Sequence, residues 1–218
     1  RGQCDMFKVS YLLGGSNPLP FNSGADAAAA QIRLMFAAVH AASLTRALPA
    51  RESDFSGCLE LHFTGEADAL AAAQRDVTGL LTEGTEVLQR VVGHERVVMR
   101  SPDFFTRDMI KGVYPFCRKS GMSVETFQQY WWQVHGPIAA LTEDALGYIQ
   151  IHPFQAYYSE MEHHYDGITE IYWPDEETAD LALVSRQMVE DQGSDAPNFV
   201  DLDSIGLFLA KEEIVIQG

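Results

Sequence analysis

The sequence predicts an α+β protein built from two fused ferredoxin-like units, each based on a βαββαβ order of elements. Three observations predict it. The first is an internal repeat. Met6-Phe7-Lys8-x-x-Tyr11 is answered by Met109-Ile110-Lys111-x-x-Tyr114, and Val39-His40 by Val134-His135. Phe55-Ser56-Gly57-x-x-Glu60-Leu61-His62-Phe63 is answered by Tyr165-Asp166-Gly167-x-x-Glu170-Ile171-Tyr172-Trp173, and Glu95-x-Val97-Val98-Met99 by Glu212-x-Ile214-Val215-Ile216. The matches keep the same order in both copies, as a duplicated unit requires. The second observation is the alternation of strand and helix patterns in the second copy. The third is the length of 218 residues, which suits one large domain or two small ones. The halves divide as 1–103 and 104–218. Two such units can pack sheet to sheet and close as a barrel of about eight strands.

The elements follow in order. Met6–Leu13 is apolar and aromatic and reads as a strand, broken by Gly14-Gly15-Ser16-Asn17-Pro18. Ala25–Leu48 reads as one long Ala-rich helix with an apolar stripe at Ile32, Met35, Phe36 and Val39, stopped by Pro49. Cys58–Phe63 is a strand, a helix runs from Glu66 to about Leu81, and Val91–Arg100 is a strand. In the second half Met109–Cys117 is a strand. Ser123 is an N-cap, and Met122 can staple against Phe127. The helix after it carries Phe127, Tyr130, Trp131 and Val134 on one face, and Gly136-Pro137 ends or bends it. Gly147–Gln155 is a strand with Tyr148, Gln150, His152 and Phe154 on one face. Asp166–Trp173 is a strand, Asp175–Gln192 a helix with acidic residues in its first turn, and Ser204–Gln217 the closing strand or strand pair.

Composition excludes several classes of function. Fifteen basic against 31 acidic residues give a net charge of -16. That balance opposes nucleic acid, whose binding rests on Lys and Arg neutralising phosphates, and it opposes an anionic membrane surface. Cys4, Cys58 and Cys117 form neither a disulfide framework nor a metal knuckle, so reduced thiols in a cytoplasm are expected. No apolar run approaches the roughly 20 residues of a membrane helix, and no secretory leader is legible.

The segment Tyr130-Trp131-x-x-x-His135-Gly136-Pro137 resembles the EthD family of dimeric α/β-barrel proteins. The resemblance takes in Lys119-x-Gly121-Met122-Ser123-x-Glu125-x-Phe127 before it and Gly147-Tyr148-Ile149-Gln150-Ile151-His152 after it. It continues through Tyr165–Trp173 and Phe199-Val200-Asp201 to the Glu212/Glu213 strand, and so covers roughly 109–216. The first half resembles the family only through the duplication, and His40 is followed by Ala41-Ala42 rather than Gly-Pro. The resemblance implies ferredoxin-like units pairing into a barrel, with a pocket between sheet and helices. It also implies no organic cofactor, and chemistry such as isomerisation, decarboxylation or dehydration of aromatic or polyketide-like substrates.

Three residues are candidates for proton transfer. His135 follows Trp131 by four residues and so shares its sheet-facing side. A helix-terminal histidine satisfying carbonyls is an equal alternative. His152 shares a strand face with Tyr148 and Gln150, and a buried polar pair among aromatics needs partners. Tyr114 is a candidate phenolic donor to a developing enolate, whereas Tyr11 reads as core. Gln150, Trp131, Tyr130 and Tyr148 are candidate substrate-positioning residues.

The repeated Lys8/Lys111 and Glu60/Glu170 read as structural pairs. Asp166 before Gly167 reads as turn chemistry, with orienting a histidine a secondary role. His163-His164 reads as a solvated loop, and no metal site is expected. The reading is a cofactor-independent lyase or isomerase acting on a small aromatic or enolisable substrate. Two alternatives stand beside it: a cofactor-free monooxygenase or haem-handling protein, and a non-catalytic ligand-binding accessory protein. Whether the chain forms a homodimer stays open.

The copies are unequal. From His40 to Phe55 is 15 residues, and from His135 to Tyr165 is 30. A strand needs about five residues, so the first half is expected to have lost or shortened one. The single working pocket is therefore expected in the second half.

Overall fold

The computed structural model describes residues 5–15, 25–49, 51–105 and 108–218. Cys4 and the Ser16-Asn17-Pro18 break lie outside them. The elements are β1 (Phe7–Gly14), α1 (Ala25–Met35), β2 (Ala41–Ala47), β3 (Gly57–Phe63), α2 (Glu66–Ala73), β4 (Glu86–Arg100), β5 (Ile110–Phe116), α3 (Val124–Tyr130), α4 (Gly136–Ala139), β6 (Gly147–Pro153), α5 (Gln155–Glu160), β7 (Gly167–Trp173), α6 (Glu176–Leu183), α7 (Gly193–Asp195) and β8 (Phe208–Ile216). The strands hydrogen-bond in the order β1-β3-β2-β8-β5-β7-β6-β4 and close as an eight-stranded barrel. No helix among the described residues is long and apolar enough to cross a membrane.

The chain divides into two compact units. One comprises Arg1–Glu95, Pro153–His164 and Ala210–Gly218, and the other Arg96–His152 and Tyr165–Leu209. In the first unit β4, β1, β3 and β2 are successive antiparallel neighbours. Side chains alternate across a strand, so Val9, Tyr11 and Leu13 share one face of β1. They join a core with Ile32 and Phe36 from the end of α1, Ala72 and Ala73 of α2, and Leu80 and Leu81. Each such buried Leu, Ile or Phe contributes about 1.5–3 kcal/mol relative to exposure. Lys8, on the opposite face, lies 3.1 Å from Glu60. Gly15 ends β1 at φ +114°, and a Cβ there would meet the Gly84 carbonyl at 2.0 Å, so the turn requires glycine.

In the second unit β5 pairs with β7 and β7 with β6, all antiparallel. Phe116, Phe127, Trp131, Phe199 and Val200 form an aromatic cluster. Ser123 caps α3 by accepting the Thr126 N–H, and Met122 packs on the cluster that contains Phe127. On the far face of the strands Lys111 lies 3.3 Å from Glu170, repeating the Lys8–Glu60 arrangement. Both lysines and both glutamates are buried, in keeping with the structural roles read from the repeat, and each lysine's partner is a glutamate.

Three expectations are corrected. The first half has not lost a strand, because β2 at Ala41–Ala47 completes a βαββαβ order. Ala41-Ala42-Ser43-Leu44-Thr45 reads as helix by propensity, but pairing with β3 on one side and β8 on the other overrides it. The match of Val39-His40 to Val134-His135 also fails. His40 lies one residue before β2 and is exposed, whereas His135 is buried in a helical turn. Finally, of the two outcomes expected at Gly136-Pro137, an end or a bend, the end does not occur. The chain passes through a π-helical turn, Trp131–His135, and continues as α4 with Pro137 in its first turn. The wide turn moves Val134 off the buried face, leaving it 44% exposed while Trp131 and His135 stay buried.

Candidate active site

The second unit contains a cavity of about 150 Å³ whose lining includes Tyr114, Phe116, Trp131, His135, Tyr148 and Phe199. Each side chain arrives for a local reason. Tyr114 and Phe116 come from alternate positions on β5, Thr169 and Ile171 from β7, and Tyr148 from β6, so one sheet face forms the floor. The registers Tyr114↔Thr169 and Tyr148↔Ile171 hold them side by side. Trp131 and His135 come from the π turn. The Trp131 ring lies so close over β7 that a Cβ at Gly167 would meet it at 2.7 Å.

His135 brings an ionisable pair to the cavity wall. Its Nδ1 donates to Asp195 Oδ2 at 2.8 Å. Asp195 also accepts from the Tyr130 hydroxyl at 2.6 Å and from Asn198 Nδ2 at 3.2 Å. Burial lowers the His135 pKa from its usual value, and this outweighs the opposing hydrogen bond and charge of Asp195. Burial would raise the Asp195 carboxyl, but the hydrogen bonds from Tyr130, His135 and Asn198 together hold it below the usual carboxylate value. The pair therefore rests at neutral pH as imidazole with carboxylate. With the proton fixed on Nδ1 by the aspartate, Nε2 is the basic nitrogen.

At the sheet side, the Tyr114 hydroxyl is buried without a hydrogen-bond partner. Its ring is partly accessible because it faces the cavity, while the oxygen itself is enclosed. Burial pushes its pKa up, and neighbouring Tyr148 pushes it the same way. Burial likewise raises Tyr148, against a hydrogen bond with Thr169. Both phenols therefore remain protonated donors. An unpaired buried hydroxyl costs about 1–3 kcal/mol, so a ligand oxygen there recovers a lost interaction.

Of the residues singled out in the sequence, Tyr114, Trp131, His135 and Tyr148 line this cavity. Tyr130 stands behind it, on Asp195. Gln150 and His152 are buried beside it without lining it. His152 Nε2 lies 2.8 Å from Gln150 Oε1, Gln150 Nε2 donates to the Trp131 carbonyl at 3.2 Å, and the His152 and Trp131 rings stack at 4.3 Å. Asp166 accepts the Arg118 backbone N–H at 2.8 Å and pairs with the Arg118 guanidinium, a tie across the chain rather than within its own turn.

Sequence reasoning missed Asp195. One signal was available: it sits near the C-terminal end of a helical run, where the helix dipole disfavours a carboxylate. Gln192, which also lines the cavity and donates to Thr142 at 2.9 Å, was missed as well. A larger cleft of about 630 Å³ in the first unit, lined by Asp76, Arg90, Glu160 and Glu162 among others, is polar and has no histidine–aspartate pair among its described residues.

Solved structures share this fold along most of the chain. An anthrone oxidase-like protein is 8% identical, with a TM-score of 0.58, covering 98% of this chain and 94% of that one. A mutant chlorite dismutase from Candidatus Nitrospira defluvii is 11% identical, with a TM-score of 0.55 and coverages of 96% and 91%. A candidate monooxygenase from Lactobacillus acidophilus NCFM is 10% identical, with a TM-score of 0.52 and coverages of 99% and 98%. At these identities the likeness concerns the fold. The EthD domain family model matches residues 119–203, the stretch from before α3 to the turn before β8. No curated protein sequence matches the chain significantly.

Proposed function

We propose that the second unit is a cofactor-independent lyase or isomerase that removes a proton from a single-ring, enolisable or phenolic substrate. The observation that carries this reading is that His135, held by Asp195, lines the same small cavity as Tyr114, whose buried hydroxyl has no partner. His135 Nε2 takes the proton. The electron pair moves onto the substrate oxygen, which Tyr114 stabilises by donating its O–H. The proton on His135 then returns to another carbon in an isomerisation, or to a departing hydroxyl in an elimination.

Size and lining support the substrate class. A cavity near 150 Å³ holds a benzene-sized guest, and its walls are mostly aromatic and aliphatic. Among its described lining residues there is no Lys or Arg to meet a carboxylate or phosphate. A porphyrin does not fit this volume, which speaks against haem in this cavity. We also propose that the two βαββαβ halves, 1–103 and 104–218, are copies of one ferredoxin-like unit and that the first has lost the site.

A second reading is a cofactor-free monooxygenase, in which the same substrate anion meets dioxygen. The apolar wall of Ile171, Met188, Val200 and Ile205 favours it, because dioxygen partitions into such surroundings. One experiment addresses both readings. Small cyclic ketones and phenols are incubated with the protein in D₂O, and C–H exchange is followed by NMR while an electrode records oxygen. Exchange that requires His135 supports proton removal. Stoichiometric oxygen uptake selects the second reading. Neither signal with any ring-sized probe that binds the cavity sinks both.

A further inference from the structure

Resting on the reading of His135 as the base, we infer that Gln150 and His152 are positioning residues that hold the π turn open and so deliver His135 to the cavity. Gly136 N–H donates to the Trp131 carbonyl, the long-range bond that defines the π turn. Gln150 Nε2 donates to the same carbonyl oxygen from β6. That oxygen accepts two donors, one from its own helix and one from the sheet. An α-helical turn would instead direct the carbonyl to residue 135 and rotate the side chains that follow. The second donor favours the wide geometry, which Pro137 also requires because it has no N–H to give to Gln133.

His152 fixes Gln150 in turn. With a proton on its Nε2 it donates to Gln150 Oε1, which leaves the amide nitrogen facing Trp131. Its ring stacks on Trp131 at 4.3 Å and 16°, so the two contacts lock the first residue of the turn by ring and by carbonyl. The two residues therefore act on the chemistry through backbone shape and without touching the substrate.

The test uses the full chain with labelled histidine and reads the His135 titration by NMR, which needs no substrate. Gln150→Met keeps the length and loses the donor. The expected result is a rise in the His135 pKa towards the ordinary value near 6.5, as the imidazole leaves its buried place. C–H exchange should fall by about 10–100-fold, as for other groups that orient a functional side chain. His152→Phe keeps the stacking and should move both readouts the same way, less far. An unchanged His135 titration in a folded Gln150→Met protein overturns the proposal, and if that variant does not fold, His152→Phe decides in the same way. Loss of the base reading itself would look different, since His135→Ala would then leave exchange intact whatever the titration shows.

Discussion

Tyr11 and Tyr114 hold matching places on β1 and β5, and their hydroxyls meet opposite fates. Tyr11 donates to the Ala72 carbonyl at 2.6 Å within a filled core. Tyr114 has no partner and borders a cavity. Strand register explains the difference. With Gly57 matched to Gly167, Leu59 stands where the second unit has Thr169. Ala42 and Leu44 on β2 then stand where β6 has Tyr148 and Gln150. One unit spends these positions on packing, and the other keeps polar groups and space. The backbone order is common to both, so function here separates from fold at a handful of side chains.

The largest expected effect falls on the histidines. His135→Ala should slow C–H exchange by about 10²–10⁴-fold, the usual span of acid–base catalysis, while His40→Ala should leave it unchanged. Equal losses in both would break the comparison. The lysines should behave alike. Lys8→Met and Lys111→Met each leave a buried glutamate without its main cation and should cost about 3–5 kcal/mol in urea unfolding. A cost confined to one unit would show that the repeat is not structurally equivalent.

The pH dependence comes next. Exchange should rise with pH and level off once His135 is neutral, with a midpoint below 6.5. Stability follows the same group. The unfolded chain still binds the proton in the window between the lowered folded value and 6.5. Stability should therefore rise with pH across that window and be lost as pH falls through it. Urea midpoints of the native protein and His135→Gln should converge at the acid end.

The smallest effect is the most discriminating, because it has opposite signs. Tyr11→Phe should destabilise by about 1 kcal/mol through the lost hydrogen bond, whereas Tyr114→Phe should be neutral or stabilising and weaken phenol binding. Calorimetry on both variants measures the pair.

Much of the architecture was legible because repeats and periodicity are local signals. Structural roles for Lys8, Lys111, Glu60 and Glu170 were readable because each recurs, whereas the Lys8–Glu60 and Lys111–Glu170 pairings came from the structure. The strand β2 was not, since its alanines carry a helical propensity that only neighbouring strands overrule. His135, Tyr114, Trp131 and Tyr148 could be singled out from helix and strand phase. Asp195 could not, because it meets His135 across 60 residues of chain through a helical run widened by its own π turn, Gln187–Gln192. The phase error at Val134 has the same origin, since π turns leave little trace in a periodicity of 3.6.

The lone hydroxyl of Tyr114 is also an instrument already installed in the protein. Its O–H bond is buried beside a mostly apolar cavity and has no hydrogen-bond partner to broaden its vibration. An infrared band from that bond should be narrow and lie at high frequency, and each guest that offers an oxygen should pull it down in proportion to its basicity. A panel of ring compounds could then be ranked by colour alone, long before any of them is turned over.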